Sequence, residues 1–532
     1  MRNFKQYFQD AILEFPADVR SILHVMQQLS RKNPDFETSI RDALLTNSNP
    51  RFTIPEDSFD LESRKLISDF AANPIRHLIL NDAFITNTQC PDNLLSLNNT
   101  LEFLYFHCKP SWTKKKGSTS TAEIQKIFEG MHLNQTLTCL DLSFDVINIW
   151  NTLIDSLKDN FTIHELGIEY KSSMNQLSFD FMGENTSIRK LKVVFPDTNG
   201  MSWPSPINHV SYESVENLFV ALRTNSSVEI LSVKFGNFEH YAHNQLFCRS
   251  GETSKLFEQN RSIREFEIEN YHSTFEYYLI QGLAGSTTLE TYRTNASAIK
   301  FLRMKEILEI NTCIRTVSIS HPYSSDPRDA FSLIENGAPL FKLELRCQIS
   351  NYIRYEQRLT PIDDLANFSN IIPNMKQLRE LSIFVSFDTN DDIICLLIAL
   401  SKLEFLETLN LTYKSFLKND VAPCLVIKML PCLQRLTLNP ITKSGAKYET
   451  LSHPPLFHQV ISTLCENQKL EIFNSTTEWN MDLPSQDMIR NLVDRNTTLR
   501  ECSIIKGYDD FQDLANMLAR NSTKSGNKFD RI

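Results

Sequence analysis

Glycine is scarce in this sequence, with 13 residues among 532. This scarcity argues against low-complexity segments, many of which are rich in glycine. Hydrophobic residues make up 41% of the chain and charged residues 22%, which are the proportions of a soluble, folded protein. We therefore expect a folded protein.

Long apolar runs and an excess of basic residues are also lacking. The longest apolar run, Ile393 to Leu400, is far too short to span a bilayer and fits a buried helix better. The first ten residues contain no apolar core of a secretory signal. The net charge of −10 disfavours non-specific binding to nucleic acid, which requires a basic surface. We expect a cytoplasmic protein that binds neither nucleic acid nor membrane.

The common motifs of catalytic and cofactor-binding sites are missing. The sequence contains no His-Glu-x-x-His, no Gly-x-x-x-x-Gly-Lys-Ser/Thr, no Gly-x-Gly-x-x-Gly and no Gly-x-Ser-x-Gly. The eleven cysteines are an odd number without any Cys-x-x-Cys, and the histidines are dispersed. We predict no catalytic residue, no metal site and no cofactor, and we expect free thiols in a reducing compartment.

A short motif is present along most of the chain. Its clearest copy, Asn134 to Leu142, has an asparagine, two mostly polar residues, and apolar residues at relative positions 1, 4 and 6. Positions 4 and 6 alternate with exposed ones, which is the period of a strand. A strand of three residues cannot bury its face alone, so the copies are predicted to stack around one continuous core.

The motif can be followed from residue 75 to residue 499 with a mean spacing of about 30 residues. Position 1 is assigned to Ile75, Leu101, Leu137, Ile163, Ile188, Val228, Ile263, Leu289, Ile314, Leu340, Leu378, Leu406, Leu433, Leu470 and Leu499. Between strands the apolar spacing becomes helical, as in Val215, Leu218, Phe219 and Leu222. Each helix tends to end at the next asparagine, which we expect in the left-handed conformation that closes helices.

These repeats resemble those of leucine-rich-repeat proteins of the helix-containing type, such as ribonuclease inhibitor, over about residues 71 to 505. The resemblance implies an α/β solenoid shaped as a horseshoe, with short parallel strands on the concave face and helices on the convex face. The family usually places Asn or Cys three residues after position 6, where the side chain ties loops into a ladder. Here that place holds residues such as Asp145, Lys171 and Pro196, so we expect an irregular ladder.

The repeat is absent from both ends of the chain. Residues 1–70 are predicted to form a helical N-terminal cap, because a terminal repeat would otherwise expose its apolar edge. Alternatively, Phe15 to Val19 resembles the opening helix of an F-box, which would imply a substrate-receptor subunit of a ubiquitin ligase. The second half of that motif is not recognisable in Asn33 to Asn49. Residues 506–532 are predicted to form a capping helix and a tail.

Several long inter-strand stretches are candidate loops. They are Lys109 to Ser120, Phe195 to Ser211, Gly236 to Glu252, Cys347 to Ile372 and Pro440 to Pro455. Long loops with exposed aromatic residues such as Trp203 and Phe238 are common binding elements. The alternative is that these aromatic residues fold back onto the edge of the solenoid.

Positions 3, 5 and 7 of each strand are predicted to point out from the concave face. The candidate partner-binding residues there are His77, Phe103, Tyr105, His107, Lys190, Lys192, Glu265, Glu267, Glu269 and Arg346. The aromatic row that starts at Phe103 suits an interface, unless the N-terminal cap or the loop with Trp112 covers it. The three glutamates repel one another and would attract a basic partner, unless nearby lysines balance them.

These observations predict a non-catalytic module that binds a protein partner of unknown identity, with the oligomeric state left open. The repeats also resemble those of effectors that intracellular bacteria deliver into host cells. Some such effectors carry a separate ubiquitin-ligase domain with a catalytic Cys-x-Asp, a string that occurs here at Cys90 and at Cys139. We interpret both as coincidence. The frequent Asn-x-Ser/Thr triplets are interpreted as turns of the repeat and not as glycosylation acceptors.

Overall fold

The computed structural model describes the chain in segments. They are residues 77–81, 101–107, 128, 131–144, 147–170, 178–195, 212–235, 251–269, 273–294, 307–319, 334–335, 337–349, 352–355, 358–361, 364–387, 389–415, 422–430, 432–440, 454–475, 490–492, 494–502 and 517–521. The chain divides into two compact units, residues 1–289 and residues 290–532. The predicted N-terminal cap, the F-box-like segment, Cys90, Trp112, Trp203, Phe238 and most of residues 506–532 lie outside the described residues.

The first unit contains seven parallel strands among its described residues, paired in chain order. They are β1 (His77–Asn81), β2 (Phe103–His107), β3 (Cys139–Phe144), β4 (Glu165–Tyr170), β5 (Lys190–Val194), β6 (Ile230–Lys234) and β7 (Glu265–Glu269). Among the described residues, a 3-10 turn (Met131–Leu133) and four helices lie between these strands: α1 (Ile147–Lys158), α2 (Phe181–Glu184), α3 (Tyr212–Thr224) and α4 (Glu252–Gln259). A fifth helix, α5 (Ser273–Gly285), follows β7. The sheet does not close into a barrel, as a repeat solenoid requires.

The second unit repeats the arrangement with β8 (Thr291–Thr294), β9 (Thr316–Ile319), β10 (Lys342–Ile349), β13 (Glu380–Phe387), β14 (Thr408–Ser415), β15 (Arg435–Pro440), β16 (Ile472–Ser475) and β17 (Glu501–Cys502). Its helices are α6 (Asp364–Ile371), which continues into a 3-10 turn (Ile372–Asn374), α7 (Asn390–Leu400), α8 (Ala422–Met429) and α9 (Pro454–Glu466). The strands β11 (Tyr352–Tyr355) and β12 (Arg358–Pro361) form a separate antiparallel hairpin. No helix in the described part of either unit is long and apolar enough to cross a membrane.

The core of each unit is built from the positions that the motif predicts. In β3, Leu140 and Leu142 have no exposed surface, and every position-1 residue from Leu101 to Leu499 is at most 3% exposed. The helical stripe from Val215 to Leu222 is buried as well. Burial of one such side chain stabilises the fold by about 1.5–3 kcal/mol, so many stacked copies compensate for the short strands.

The opening asparagine has an extended backbone in the two repeats that begin at Asn185 and Asn260, so the predicted left-handed conformation is wrong there. Asn185 has φ −72° and ψ 127°, and Asn260 has φ −67° and ψ 136°. Its side chain closes the turn instead. The Oδ1 atom of Asn225 accepts hydrogen bonds from the backbone amides of Ser227 (2.9 Å) and Val228 (2.8 Å). The helix ends because the side chain accepts hydrogen bonds from these amides. It does not end through a left-handed backbone conformation.

The same side chain ties each repeat to the preceding one. The Nδ2 atom of Asn225 donates to the carbonyls of Met182 (2.6 Å) and Asn185 (3.1 Å). Equivalent pairs of hydrogen bonds are made by Asn160, Asn185, Asn260 and Asn496. A regular ladder therefore exists in the described repeats, but it uses the first residue of the motif. The expectation of an irregular ladder concerned the residues after the strands, such as Asp145, Lys171 and Pro196, and these lie outside the described residues.

The Ser or Thr two residues later completes this turn. The hydroxyl of Ser227 donates to the carbonyl of Asn185 (3.3 Å), and that of Thr162 donates to the carbonyl of Asn134 (3.2 Å). Because Asn225 is only 4% exposed and its amide donates two hydrogen bonds, the folded protein does not offer this amide to a modifying enzyme. In the described repeats, the Asn and Ser or Thr of these triplets therefore form the turn, as the sequence predicts.

The predicted loop from Cys347 to Ile372 is largely ordered secondary structure. Strand β10 continues to Ile349, and the β11–β12 hairpin and α6 follow. A bulge interrupts the pairing of β10 with β13, because Leu345 pairs with Ile383 whereas Gln348 pairs with Phe384. The extra residues let the strand continue into the hairpin. The other predicted loops lie almost entirely outside the described residues.

Candidate interaction surface on the strand face

The outward side chains of the strands form a surface in each unit, here called the strand face. It consists of positions 3, 5 and 7 of the repeats, opposite the buried positions 4 and 6. In β5, Lys190 and Lys192 are exposed, whereas Leu191 and Val193 are fully buried. The pairing from β1 to β7 runs without a register shift within each pair that the structure describes, so equivalent positions form straight rows.

Aromatic residues occupy one end of the strand face in the first unit. Phe103 and Tyr105 are half-buried in β2 and lie beside Cys139 and Asp141 of β3. Burial raises the pKa of the Tyr105 hydroxyl, and the carboxylates of Asp141 and Glu169 raise this pKa further. The predicted aromatic row therefore begins with two adjacent, partly accessible rings.

For the two histidines at this end, only the position of the backbone is described. His77 pairs in register with Phe103, and His107 pairs with Ser143. Their side chains lie outside what the structure describes. The strand pairing therefore places His77 next to the aromatic pair. The predicted binding residues at this end occupy adjacent rows of the sheet.

A glycine in β4 leaves room for a neighbouring carboxyl group beside these aromatic residues. At Gly167 in β4, a Cβ atom would lie 2.6 Å from Oδ1 and 2.8 Å from Cγ of Asp141. The carboxyl group of Asp141 therefore occupies the space that a side chain would take. Burial raises the pKa of Asp141, while Lys192 lowers this pKa and Glu169 raises it. The sequence signal for this feature was a rare glycine in the centre of a strand, and it was missed.

The cysteine of the Cys139-Leu140-Asp141 string is not an activated thiol. Burial raises the pKa of Cys139 to about 12, and the carboxylates of Glu165 and Asp141 contribute to the increase. The thiol is therefore protonated at neutral pH, whereas nucleophilic catalysis requires the thiolate. Its buried, acidic surroundings favour the interpretation of this string as coincidence.

The predicted lysines and glutamates are paired with each other to a large extent. Lys190 Nζ lies 3.0 Å from Glu165 Oε2, and Lys234 Nζ lies 2.6 Å from Glu269 Oε2. Glu267 accepts a hydrogen bond of 2.9 Å from the hydroxyl of Ser232. The three carboxylates of β7 are thus not left to repel one another without partners. For Glu269, the structure favours the alternative in which a nearby lysine balances the charge.

The strand face of the second unit is mixed and mostly neutral. Lys342 Nζ lies 2.8 Å from Glu380 Oε2, and Ser318 donates to Glu344 at 2.9 Å. Arg346, predicted at position 7 of this face, lies in the bulge of β10, and Gln348 takes its place beside Phe384. The prediction for Arg346 did not include the extra residues of the bulge, because no feature of the motif indicates them.

Residues immediately before the strands were not considered as candidates from the sequence. In the second unit this position holds Arg315, Phe341 and Arg379, and both guanidinium groups contact the ring. A repeated arginine on both sides of an aromatic residue at one motif position was the signal that could have indicated them.

Comparison with known proteins adds little to this description. No protein-family model matches the sequence, and no curated protein matches it. Among solved structures 105 chains match. One of them, described as Leiomodin-1 Actin-Binding Site 2 (ABS2), shares 12% identity over 38% of this chain and 92% of that chain, with a TM-score of 0.20. At that TM-score the likeness carries no argument about this protein.

Proposed function

We propose that this protein is a non-catalytic interaction module of the leucine-rich-repeat type, which binds a protein partner on the strand face as the concave side of a horseshoe. One observation carries the proposal. Partly exposed aromatic and charged side chains stand in straight rows on strands whose other face is fully buried. Because the backbone is held by the sheet and the asparagine ladder, such a surface loses little entropy when a partner binds.

The composition of the first unit's strand face favours a partner with a basic surface. Its carboxylates are Asp141, Glu165, Glu169, Glu265, Glu267 and Glu269, against the lysines Lys190, Lys192 and Lys234. Complementary charge mainly increases the rate and specificity of association. Phe103 and Tyr105 would supply the apolar contacts, since aromatic residues dominate the energy of many interfaces.

The test is capture from eukaryotic cytosol, chosen because the repeats resemble those of effectors that act in host cells. The bait is the full chain, as wild type and as the Phe103→Ala/Tyr105→Ala variant. The matched control is Phe161→Ala, which removes an aromatic ring that is 68% exposed and belongs to the asparagine turn before β4, not to the strand itself. Circular dichroism first verifies that each variant is folded.

We expect a captured protein that binds the double variant about tenfold or more weakly and the control with unchanged affinity, once both are purified and measured by calorimetry. Capture that survives the double variant but disappears with Phe161→Ala would contradict the proposal. Capture of a ubiquitin-ligase scaffold that depends on residues 1–70 would support the F-box alternative instead.

A further inference from the structure

Three side chains form a second, distinct feature at the start of strands β9, β10 and β13. Arg315, Phe341 and Arg379 each occupy the residue before its strand, and they are here called the edge row. The carbonyl of Arg315 accepts hydrogen bonds from the amides of Phe341 (2.8 Å) and Lys342 (3.1 Å). The carbonyl of Phe341 accepts from Arg379 (2.8 Å) in the same way. The backbone therefore carries the three side chains side by side.

The ring of Phe341 is contacted by one guanidinium group from each neighbouring strand. Cζ of Arg315 lies 5.2 Å from the ring centroid, and Cζ of Arg379 lies 5.7 Å from it. Both distances are within the range of cation–π interactions. A cation–π contact uses no N–H donor, so the guanidinium groups keep their hydrogen-bonding capacity. Both arginines are exposed, and Phe341 is half-buried.

The positive charges of this region are only partly neutralised. Lys342 is paired with Glu380 at 2.8 Å, and Arg379 Nη1 lies 3.5 Å from Glu407 Oε1. Arg315 has no carboxylate within salt-bridge distance among the residues that the structure describes, and its contact with Phe341 is cation–π.

We infer that the edge row anchors an acidic segment of a protein partner, with a carboxylate on Arg315 and an apolar side chain of the segment against Phe341. A guanidinium group matches the two oxygens of a carboxylate with parallel N–H donors. Arginine and aromatic residues are also those most enriched among interface residues that carry binding energy. The inference rests on the proposed function, because the edge row borders the strand face of the second unit.

A peptide is favoured over a nucleic acid by the surroundings of the edge row. Glu344, Glu380 and Glu407 lie on the same strands or next to them, and they would repel a continuous line of phosphates. A protein segment can place one carboxylate on Arg315 and turn uncharged atoms toward the glutamates. The apolar ring of Phe341 adds a contact that a phosphate backbone does not use.

The test measures fluorescence anisotropy with a labelled peptide of aspartate, glutamate and leucine, and with a twin in which every carboxylate is an amide. Arg315→Gln and Phe341→Leu are compared with the matched control Arg189→Gln. Arg189 precedes β5 in the same repeat position, is exposed, and pairs with Glu229 at 3.4 Å. Among the described residues it contacts no aromatic ring.

We expect the acidic peptide to bind the full chain and to bind Arg315→Gln about tenfold more weakly, as loss of one charge-assisted hydrogen bond predicts. Phe341→Leu should weaken binding a few-fold, and Arg189→Gln should leave it unchanged. Equal binding of the acidic and amide peptides, no binding of either, or an equal loss in Arg189→Gln would overturn the inference. Preferential binding of poly-uridine that depends on Arg315 would overturn it as well.

The outcome can be separated from that of the proposed function. If the partner captured from cytosol depends on Phe103 and Tyr105 but binds Arg315→Gln normally, the proposed function holds and this inference fails. If the acidic peptide needs Arg315 while no captured protein depends on Phe103 and Tyr105, the edge row is a binding site and the strand-face proposal fails.

Discussion

The carboxyl group of Asp141 occupies the space above Gly167, with its Oδ1 atom only 2.6 Å from the point where a Cβ would stand. The two residues lie on adjacent strands and pair in register. The contact therefore joins two repeats on the strand face. Since it depends on the absence of one side chain, it can be tested by adding a single methyl group.

Gly167→Ala should reduce the free energy of unfolding by about 1 kcal/mol, because the carboxyl group of Asp141 must move. The cost stays small because the carboxyl group is the end of a flexible side chain. Gly183→Ala in α2 is the matched control, since its Cβ would come no closer than 3.8 Å to another group, the hydroxyl of Thr224. Urea unfolding of both variants measures the difference. A loss in Gly183→Ala as large as that in Gly167→Ala would refute the steric explanation.

Gly282→Ala should be far more damaging than either. There a Cβ would lie 2.9 Å from the Cα atom of Ser254 and 2.9 Å from the carbonyl oxygen of Thr253, so helix α5 would have to move away from α4. Forcing backbone atoms apart in a packed region costs about 1–3 kcal/mol or more. The same urea series gives the value. A Gly282→Ala variant as stable as wild type would mean that the two helices do not pack this closely.

The raised pKa of Asp141 predicts a specific dependence of stability on pH. Because the folded-state pKa is above that of the unfolded chain, the folded protein binds the proton more tightly. Asp141 therefore lowers stability as the pH rises from the unfolded to the folded pKa, and the effect is absent below both values. Asp141→Asn should be stabilising at neutral pH and nearly neutral in acid.

This dependence is measured by urea unfolding of wild type and Asp141→Asn over a series of pH values. Wild type and Asp155→Asn provide the control, since Asp155 is an exposed residue of α1. A difference between wild type and Asp141→Asn that does not change with pH would show that the carboxyl group is not perturbed.

The asparagine ladder should be a major source of stability. Asn225→Ala removes two hydrogen bonds to carbonyls of the preceding repeat and two from backbone amides of its own turn. Each buried group left unsatisfied costs about 1–3 kcal/mol, so a loss of about 3 kcal/mol or more is expected. Ser226→Ala alters the exposed neighbour and should change stability by about 0.5 kcal/mol at most.

Denaturant unfolding of the two ladder variants is the measurement. If Asn225→Ala and Ser226→Ala have the same midpoint, the hydrogen bonds of the ladder contribute nothing measurable. The double variant Asn225→Ala/Ser227→Ala should lose less free energy of unfolding than the two single variants lose together. The reason is that both side chains hold the same turn.

The thiol of Cys139 should react slowly with iodoacetamide. With a pKa of about 12, its thiolate fraction at neutral pH is about a thousandth of that of an ordinary thiol. The higher nucleophilicity of such a thiolate offsets part of this, so alkylation on the order of fiftyfold slower is expected. Timed alkylation with mass spectrometry compares Cys139 with the exposed Cys395, and the urea-unfolded chain serves as the control. Equal rates in the folded protein would contradict the raised pKa.

Much of the fold follows from the local pattern of the sequence. Apolar residues at positions 1, 4 and 6 imply a short strand with one buried face, and the buried Leu137, Leu140 and Leu142 confirm it. The stripe around Leu218 implies a helix with one buried face. Both predictions succeed because periodicity depends only on the geometry of a single strand or helix.

Predictions that depended on contacts between repeats were less successful. The asparagine was expected to act through its own backbone. Its side chain instead bonds residues 25 to 43 positions earlier, as Asn225 does with Met182. The bulge that displaces Arg346 was not foreseen, because extra residues in a strand leave the alternation on either side intact.

The sequence by itself determined the repeat, the buried apolar positions of the regular strands, and the parallel arrangement of the strands in each unit. These properties follow from residue type and spacing along a short stretch. Only the tertiary structure decided that Asp141 fills the space at Gly167 and that Arg315 and Arg379 flank Phe341. Those contacts join residues 26 to 38 positions apart. Which atoms meet depends on the register of the sheet, and register is a property of the stacked repeats together that no single repeat contains.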